Sequence, residues 1–443
     1  MIQDLEIQNF FYYLEKNGNL DRLTTNLDNN RAPIHRWFPF LVGFSHKLVS
    51  ETINFFKLEN IDYRLYDPFI GSGTTGVVGK KLNVNVIGNE SNPLLHKICK
   101  IKTGASADPN KVITFNKKLL KNASKKWKAI NFSNENPLLE KCYPRNNFKK
   151  MVAIREVLNS SFDIPENYKR YFFLALTMSL PKLSNVGINV PYVSWRCKRV
   201  PEETFSSFRK SVQIICEDLN TFPFPREHKA KVKVYLHDSR KQNNRVKNKS
   251  IDMIFTSPPY LNNLDYGESL KVFLYFWKIS NNWKQITDKI RKPSISSATT
   301  HYRERDFNSK NPEEILGNDF MTKYPIISQE IISKAEKIRK IRKNKSSSKS
   351  FDILTALYFK DMSKVLDEMY RVLKKDGLAF LIIGDSAPYG VHILTDNLLG
   401  EMAVESGFSS FTLKPLRVRG TKWVNLKYRH KRKLRESFLV LRR

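Results

Sequence analysis

The stretch "LYDPFIGSGTTG", residues 65–76, decides how this chain folds. Two apolar residues run into an acid and a proline, a Gly-x-Gly pair follows, and small helix-compatible residues come next. This reads as a strand that turns sharply into a helix. Glycines at such a turn let backbone approach a ligand closely, and the free amides of the helix start can bind it. "NVNVIGNE", residues 83–90, reads as a second strand leading into another helix, so the region opens a βαβ unit and predicts a mostly parallel sheet.

Working outward, "VKVYLHDS" (232–239), "IDMIFTSPPY" (251–260), "LAFLIIGDS" (378–386) and "ESFLVLRR" (436–443) read as further strands. "DMSKVLDEMYRVLKKDG" (361–377) and "TDNLLGEMAVESGF" (395–408) carry helical apolar spacing. Two segments interrupt this α/β rhythm. Residues 101–230 are Lys-rich and mainly helical in pattern, with an irregular "LSNVGINVPYVSW" (183–195). Residues 279–350 are polar and basic, and "KAEKIRKIRKNKSSSKS" (334–350) reads as a helix fraying into a loop. The expected division is a core built from 1–100, 231–278 and 351–443, with the glycine turn in the first piece and the Ser-Pro-Pro-Tyr corner in the second. The mainly helical insertion 101–230 and the basic insertion 279–350 separate the pieces, and target recognition is expected from an insertion, with a slight preference for 279–350.

Lys and Arg number 76 against 43 Asp and Glu, a formal charge of +33. A surface this basic gains free energy by releasing counterions from a polyanion, so nucleic acid is the leading partner. The N-terminal stretch mixes acids with apolar residues, so neither a signal peptide nor a membrane span is expected. Cys99, Cys142, Cys197 and Cys216 have no Cys-x-x-Cys or zinc spacing. They read as idle thiols of a reducing cytoplasm, and no metal is expected.

The glycine turn lacks the spacing of a phosphate P-loop. It does carry Gly71, Gly73 and Gly76 at dinucleotide-site spacing, but Asp67 at the strand end would repel a pyrophosphate. An acid there suits a cationic ligand such as the sulfonium of S-adenosylmethionine. Glu90, at the end of the next strand, stands where an acid accepts ribose hydroxyls, a feature shared by NAD and methyl-donor sites.

"DPFIGSGTT" together with "TSPPY" (256–260) resembles the paired signature of the DNA amino-methyltransferases, which modify exocyclic nitrogens of bases. The resemblance extends through "HDSR" (237–240) and "LKKDGLAFLIIGDS" (373–386) and covers neither insertion. It implies an α/β fold with a Rossmann-like mixed sheet and helices on both faces, S-adenosyl-L-methionine as cofactor, and double-stranded DNA as partner. Asp67, Phe69, Gly71 and Gly73 would line the cofactor and Glu90 would take its ribose. Ser257, Pro258, Pro259 and Tyr260 would form the catalytic corner around a flipped base. Serine ahead of Pro-Pro-Tyr is the usual family choice for cytosine N4, with adenine N6 the alternative, and a cognate restriction endonuclease is a further implied partner. An RNA base methyltransferase and a catalytically dead nucleic-acid-binding protein are the remaining rivals.

The corner also makes sense without the family. A conjugated amino group is a poor nucleophile, and accepting hydrogen bonds from its N–H groups turns it toward a tetrahedral, reactive form. Ser257 Oγ and the Pro258 carbonyl can be the two acceptors, prolines fix the backbone without adding donors, and Tyr260 offers a stacking face. In the aromatic segment 34–49, Trp37, Phe38 and Phe44 either touch cofactor or pack a core helix entry. Asp238 either accepts the adenine amino group or faces solvent, and Asp385 either borders the base pocket or caps the surface. The basic tail, residues 413–436, suits phosphate contacts with occasional stacking.

Overall fold

The computed structural model describes the chain apart from residues 1, 18–19, 24, 39–42, 57–61, 191, 223, 225–228, 308–309, 345–348 and 420–431. Its centre is a seven-stranded sheet of order β5-β2-β1-β6-β7-β9-β8. The strands are β1 (Arg64–Asp67), β2 (Asn85–Glu90), β5 (Val232–Leu236), β6 (Ile251–Thr256), β7 (Leu373–Gly384), β8 (Ser410–Arg419) and β9 (Leu434–Arg442). A separate antiparallel pair, β3 (Val186–Val190) and β4 (Tyr192–Lys198), lies within residues 101–230. The first five strands across the main sheet pair in parallel, and β9 runs antiparallel between β7 and β8. This is the mixed, Rossmann-like methyltransferase sheet expected above.

The order follows from burial. The central strands are apolar on both faces, as in β6, where Ile251, Met253, Ile254 and Phe255 are all buried, and such strands need cover on both sides. One face receives the helices Ile2–Asn17 and His46–Phe56, whose Phe10, Phe11 and Ile53 pack with Phe255, Phe380 and Phe438. The other receives Phe351–Val372 and Thr395–Glu405, which meet Ile254, Leu381 and Leu439. The chain builds β2 and β5 on one side of β1, then returns to place β6 and β7 on the other. The carboxyl ends of β1 and β6 therefore flank the point where strand order reverses, the place where open α/β sheets bind ligands.

Residues 101–230 contribute four long helices, Pro109–Lys126, Arg145–Ser160, Glu166–Leu183 and Thr204–Thr221. They share one apolar cluster with the helix Pro93–Thr103 and with Phe273 and Phe276, just beyond the Ser257–Tyr260 corner. The stretch 183–195, expected to be irregular, holds β3 and the first part of β4 in the β3–β4 hairpin. Its register shifts twice, which removes the apolar alternation that marks a strand. In 279–350 the helix Pro325–Lys343 buries Ile327, Ile331, Ala335 and Ile338. Residues 345–348 of the expected fraying loop lie outside the described residues. The start of the basic tail forms β8, an edge strand that tolerates Pro415 at a register shift, and residues 420–431 of the tail lie outside the described residues. Among the described residues no helix is long and apolar enough to cross a membrane.

Candidate active site

The turn after β1 brings the chain's signature acid to a protected place. Asp67 is 1% exposed; its Oδ1 accepts the Thr256 hydroxyl at 2.7 Å and the Phe69 amide at 3.0 Å. Its Oδ2 is buried with no hydrogen-bond partner. Burial pushes its pKa up to about 6, against the opposing pull of the Thr256 and Thr75 hydroxyls and the Phe69 amide. Because Thr256 ends β6, this one carboxylate joins the glycine turn to the Pro-Pro corner across adjacent strands. Gly73 has φ +96°, and a Cβ there would stand 2.8 Å from Cys99 Sγ, so glycine both permits the turn and lets two helices approach.

Glu90 ends β2. Its Oε1 accepts the Asn92 amide at 2.6 Å, and burial together with the Asp67 charge pushes its pKa up to about 7 despite the amides of Asn92, Gly71 and Ser91. A carboxyl held this high is costly to ionise until donors arrive, which is the behaviour of an acceptor awaiting hydroxyl groups.

The corner after β6 is held from behind. The Tyr260 phenol donates to Glu436 Oε1 at 2.8 Å, and Arg417 Nε donates to Glu436 Oε2. Ser257 Oγ lies 3.2 Å from the Ile382 carbonyl and 3.3 Å from the Tyr260 oxygen. With the phenol proton committed to Glu436, both neighbours of Ser257 are acceptors, so its single proton points at them and its lone pairs are free for another donor. The Arg419 guanidinium stacks 4.9 Å from the Tyr260 ring centroid and donates to the Asp385 carbonyl at 2.6 Å. A Cβ at Gly384 would lie 2.4 Å from Arg419 Cζ and 2.7 Å from Tyr260 Cδ2, so the last residue of β7 must be small.

One cavity of about 470 Å³ joins the two turns. Its wall includes Phe69, Gly71, Glu90, Asp238, Ser257, Pro258, Pro259 and Tyr260, together with Phe44. Asp67 and Gly73 are not on that wall; they stand behind it. Asp238 is held by the Arg240 guanidinium at 2.8 Å. Trp37 is placed elsewhere. It is fully buried in the cluster shared with the insertion, donates Nε1 to Asp218 Oδ2 at 2.8 Å, and does not line the cavity. Phe38 is in the same core, and residues 39–42 of that aromatic segment lie outside the described residues. Asp385 is 1% exposed, meets His392 at 3.0 Å, and is off the wall. Among the described residues no group of three or more His, Cys, Asp or Glu could hold a metal.

Arg417, Arg419 and Glu436, expected as part of the phosphate-contacting tail 413–436, line the cavity, as do Thr25, Asn26 and Tyr266, which sequence reasoning missed. Arg417 and Arg419 sit two apart, a strand signal hidden by Pro415.

No family model matches the chain. It is 22% identical over 461 residues to Type II methyltransferase M.BsoBI of Geobacillus stearothermophilus, covering 94% of this chain and 87% of that protein. It is 20% identical over 398 residues to Type II methyltransferase M.MvaI of Kocuria varians, covering 84% and 82%. It is 23% identical over 418 residues to Type II methyltransferase M.AvaI of Nostoc sp., covering 86% and 80%. The chain is thus similar to type II methyltransferases over most of its length, at low identity.

Proposed function

We propose that this chain is a DNA methyltransferase that moves the methyl group of S-adenosyl-L-methionine to the exocyclic N4 of cytosine in duplex DNA. The observation that carries the proposal is the shared cavity, on which the acid of β2 and the hydroxyl acceptor of the Ser-Pro-Pro-Tyr corner face the same space. Similarity to type II methyltransferases along most of the chain supports it.

The residues fit the cofactor. Glu90 can accept ribose hydroxyls, and Phe44, Phe69 and Leu95 give an apolar flank. Bound there, S-adenosyl-L-methionine supplies an electrophilic methyl group on a sulfonium. Ser257 Oγ accepts one N–H of the base's amino group and the Pro258 carbonyl accepts the other, which draws the nitrogen lone pair out of the ring. The prolines fix φ near −65° and bring no competing N–H, so orientation is set before the substrate arrives. Arg419 covers one face of Tyr260, leaving the ring at most one face for a flipped base. A stacked base offsets part of the few kcal/mol that extrusion costs.

In this proposal residues 1–100, 231–278 and 351–443 build the catalytic core, and target recognition belongs to one of the insertions 101–230 and 279–350, with a slight preference for 279–350. The enzyme works in the cytoplasm beside a cognate restriction endonuclease. The test is to incubate the protein with methyl-labelled S-adenosyl-L-methionine and either duplex DNA or tRNA. Label in the duplex alone supports the proposal, and label in tRNA alone refutes the substrate assignment.

A further inference from the structure

The β3–β4 hairpin belongs to the insertion but sits beside the cavity. It is rooted by Val186 and Ile188, which are 2% and 1% exposed. It packs against the short helix Tyr266–Ser269, whose Tyr266 lines the cavity. Asp265, which caps that helix, is gripped by Arg291 at 2.6 Å and Thr300 at 2.7 Å, so the hairpin packs on a segment that this acid pins.

The outer strand presents chemistry that the fold does not use. Trp195 is 45% exposed, and Arg196, Lys198 and Arg199 are exposed beside it. No Asp or Glu occurs from residue 184 to 201. Among the described residues no carboxylate pairs with Arg196, Lys198 or Arg199, whereas Lys210, further along the same insertion, pairs with Glu202. An unneutralised cationic strand carrying an exposed indole fits a polyanion that also offers flat apolar faces.

We propose that the β3–β4 hairpin is a DNA-contacting element, with Arg196, Lys198 and Arg199 on phosphates and Trp195 against sugar or base edges next to the target nucleotide. The inference rests on the methyltransferase proposal and names the surface that receives its substrate.

Cys197 provides a probe in the unaltered chain, because among the described residues it is the exposed thiol while Cys99, Cys142 and Cys216 are buried. Duplex DNA is expected to slow maleimide labelling of Cys197 at least fivefold, with high salt restoring the rate. An unchanged labelling rate at saturating duplex would overturn the assignment.

A second measurement uses the full-length triple variant Arg196→Ala, Lys198→Ala, Arg199→Ala. Its duplex affinity should fall tenfold or more, and the slope of log affinity against log salt should shrink by about 2 to 3, with cofactor affinity and Tm unchanged. The control removes three exposed lysines of another element, Lys117, Lys118 and Lys121. An equal loss in the control would show generic charge at work and overturn the proposal, as would an intact slope in the hairpin variant. Duplex protection of Cys197 without any methyl transfer by the wild type would refute the enzyme proposal while leaving the hairpin assigned to DNA.

Discussion

The Tyr260 phenol donates a hydrogen bond to Glu436 across 2.8 Å, linking the corner after β6 to β9, the last strand in chain order. That bond fixes which way the Ser257 hydroxyl points. Tyr260→Phe and Glu436→Gln should each lower single-turnover methyl transfer about three- to tenfold, the worth of one ordinary hydrogen bond, with cofactor affinity within twofold. On the proposed mechanism Ser257→Ala would remove an acceptor from the reacting nitrogen itself and should cost on the order of a hundredfold in turnover. Parallel losses in cofactor affinity, read by calorimetry, would contradict the base-pocket assignment.

Gly384→Ala tests the packing behind the corner. The new methyl would collide with both Arg419 and Tyr260, so the stack must open. Overpacking of this kind costs about 1–3 kcal/mol, and the expected result is a lower Tm with a larger proportional loss of turnover. Unchanged turnover would show that the stack is not needed to hold Tyr260.

Glu90 predicts a pH dependence. In the proposed site ribose hydroxyls would donate to the ionised carboxylate, and burial holds its pKa near 7, so cofactor affinity should rise through neutral pH. At pH 6 about one-tenth of the sites are ionised, and affinity should be about tenfold below its plateau above pH 8. The sign for stability is opposite. A carboxyl raised in the folded state contributes stability below the ordinary Glu range, and that contribution is lost as pH rises through about 7. Glu90→Gln should therefore flatten the affinity profile and raise the Tm of the cofactor-free protein at pH 8.

Trp37 and Asp218 separate scaffold from site. Asp218 is fully buried and accepts from the Ile34 amide, Trp37 Nε1 and Arg36. Asp218→Ala strands these donors and should destabilise the protein by about 3–5 kcal/mol in urea unfolding. Trp37→Phe should lower stability while leaving cofactor affinity within twofold; a large loss of affinity would return Trp37 to the cofactor site.

These residues also mark what the sequence could disclose. The glycine turn and Ser257–Tyr260 were legible because their signal is local: glycines, prolines and a strand end lie within a dozen residues. The sheet was legible where strands are apolar on both faces, as in β6. β8 was hidden by Pro415 and a register shift, and with it Arg417 and Arg419. Glu436 acquires meaning only when β9 inserts beside β7, a pairing across about fifty residues that no periodicity announces. Trp37 was ambiguous for the converse reason, since an aromatic cluster near a ligand turn looks the same whether it faces the ligand or the core.

The central claim is tested most directly by mass spectrometry of nucleosides from duplex DNA methylated by the purified protein. The account predicts N4-methylcytosine in the wild-type digest and its near-absence with Ser257→Ala. N6-methyladenine as the product, or no methylated nucleoside from a duplex the protein binds, would contradict it.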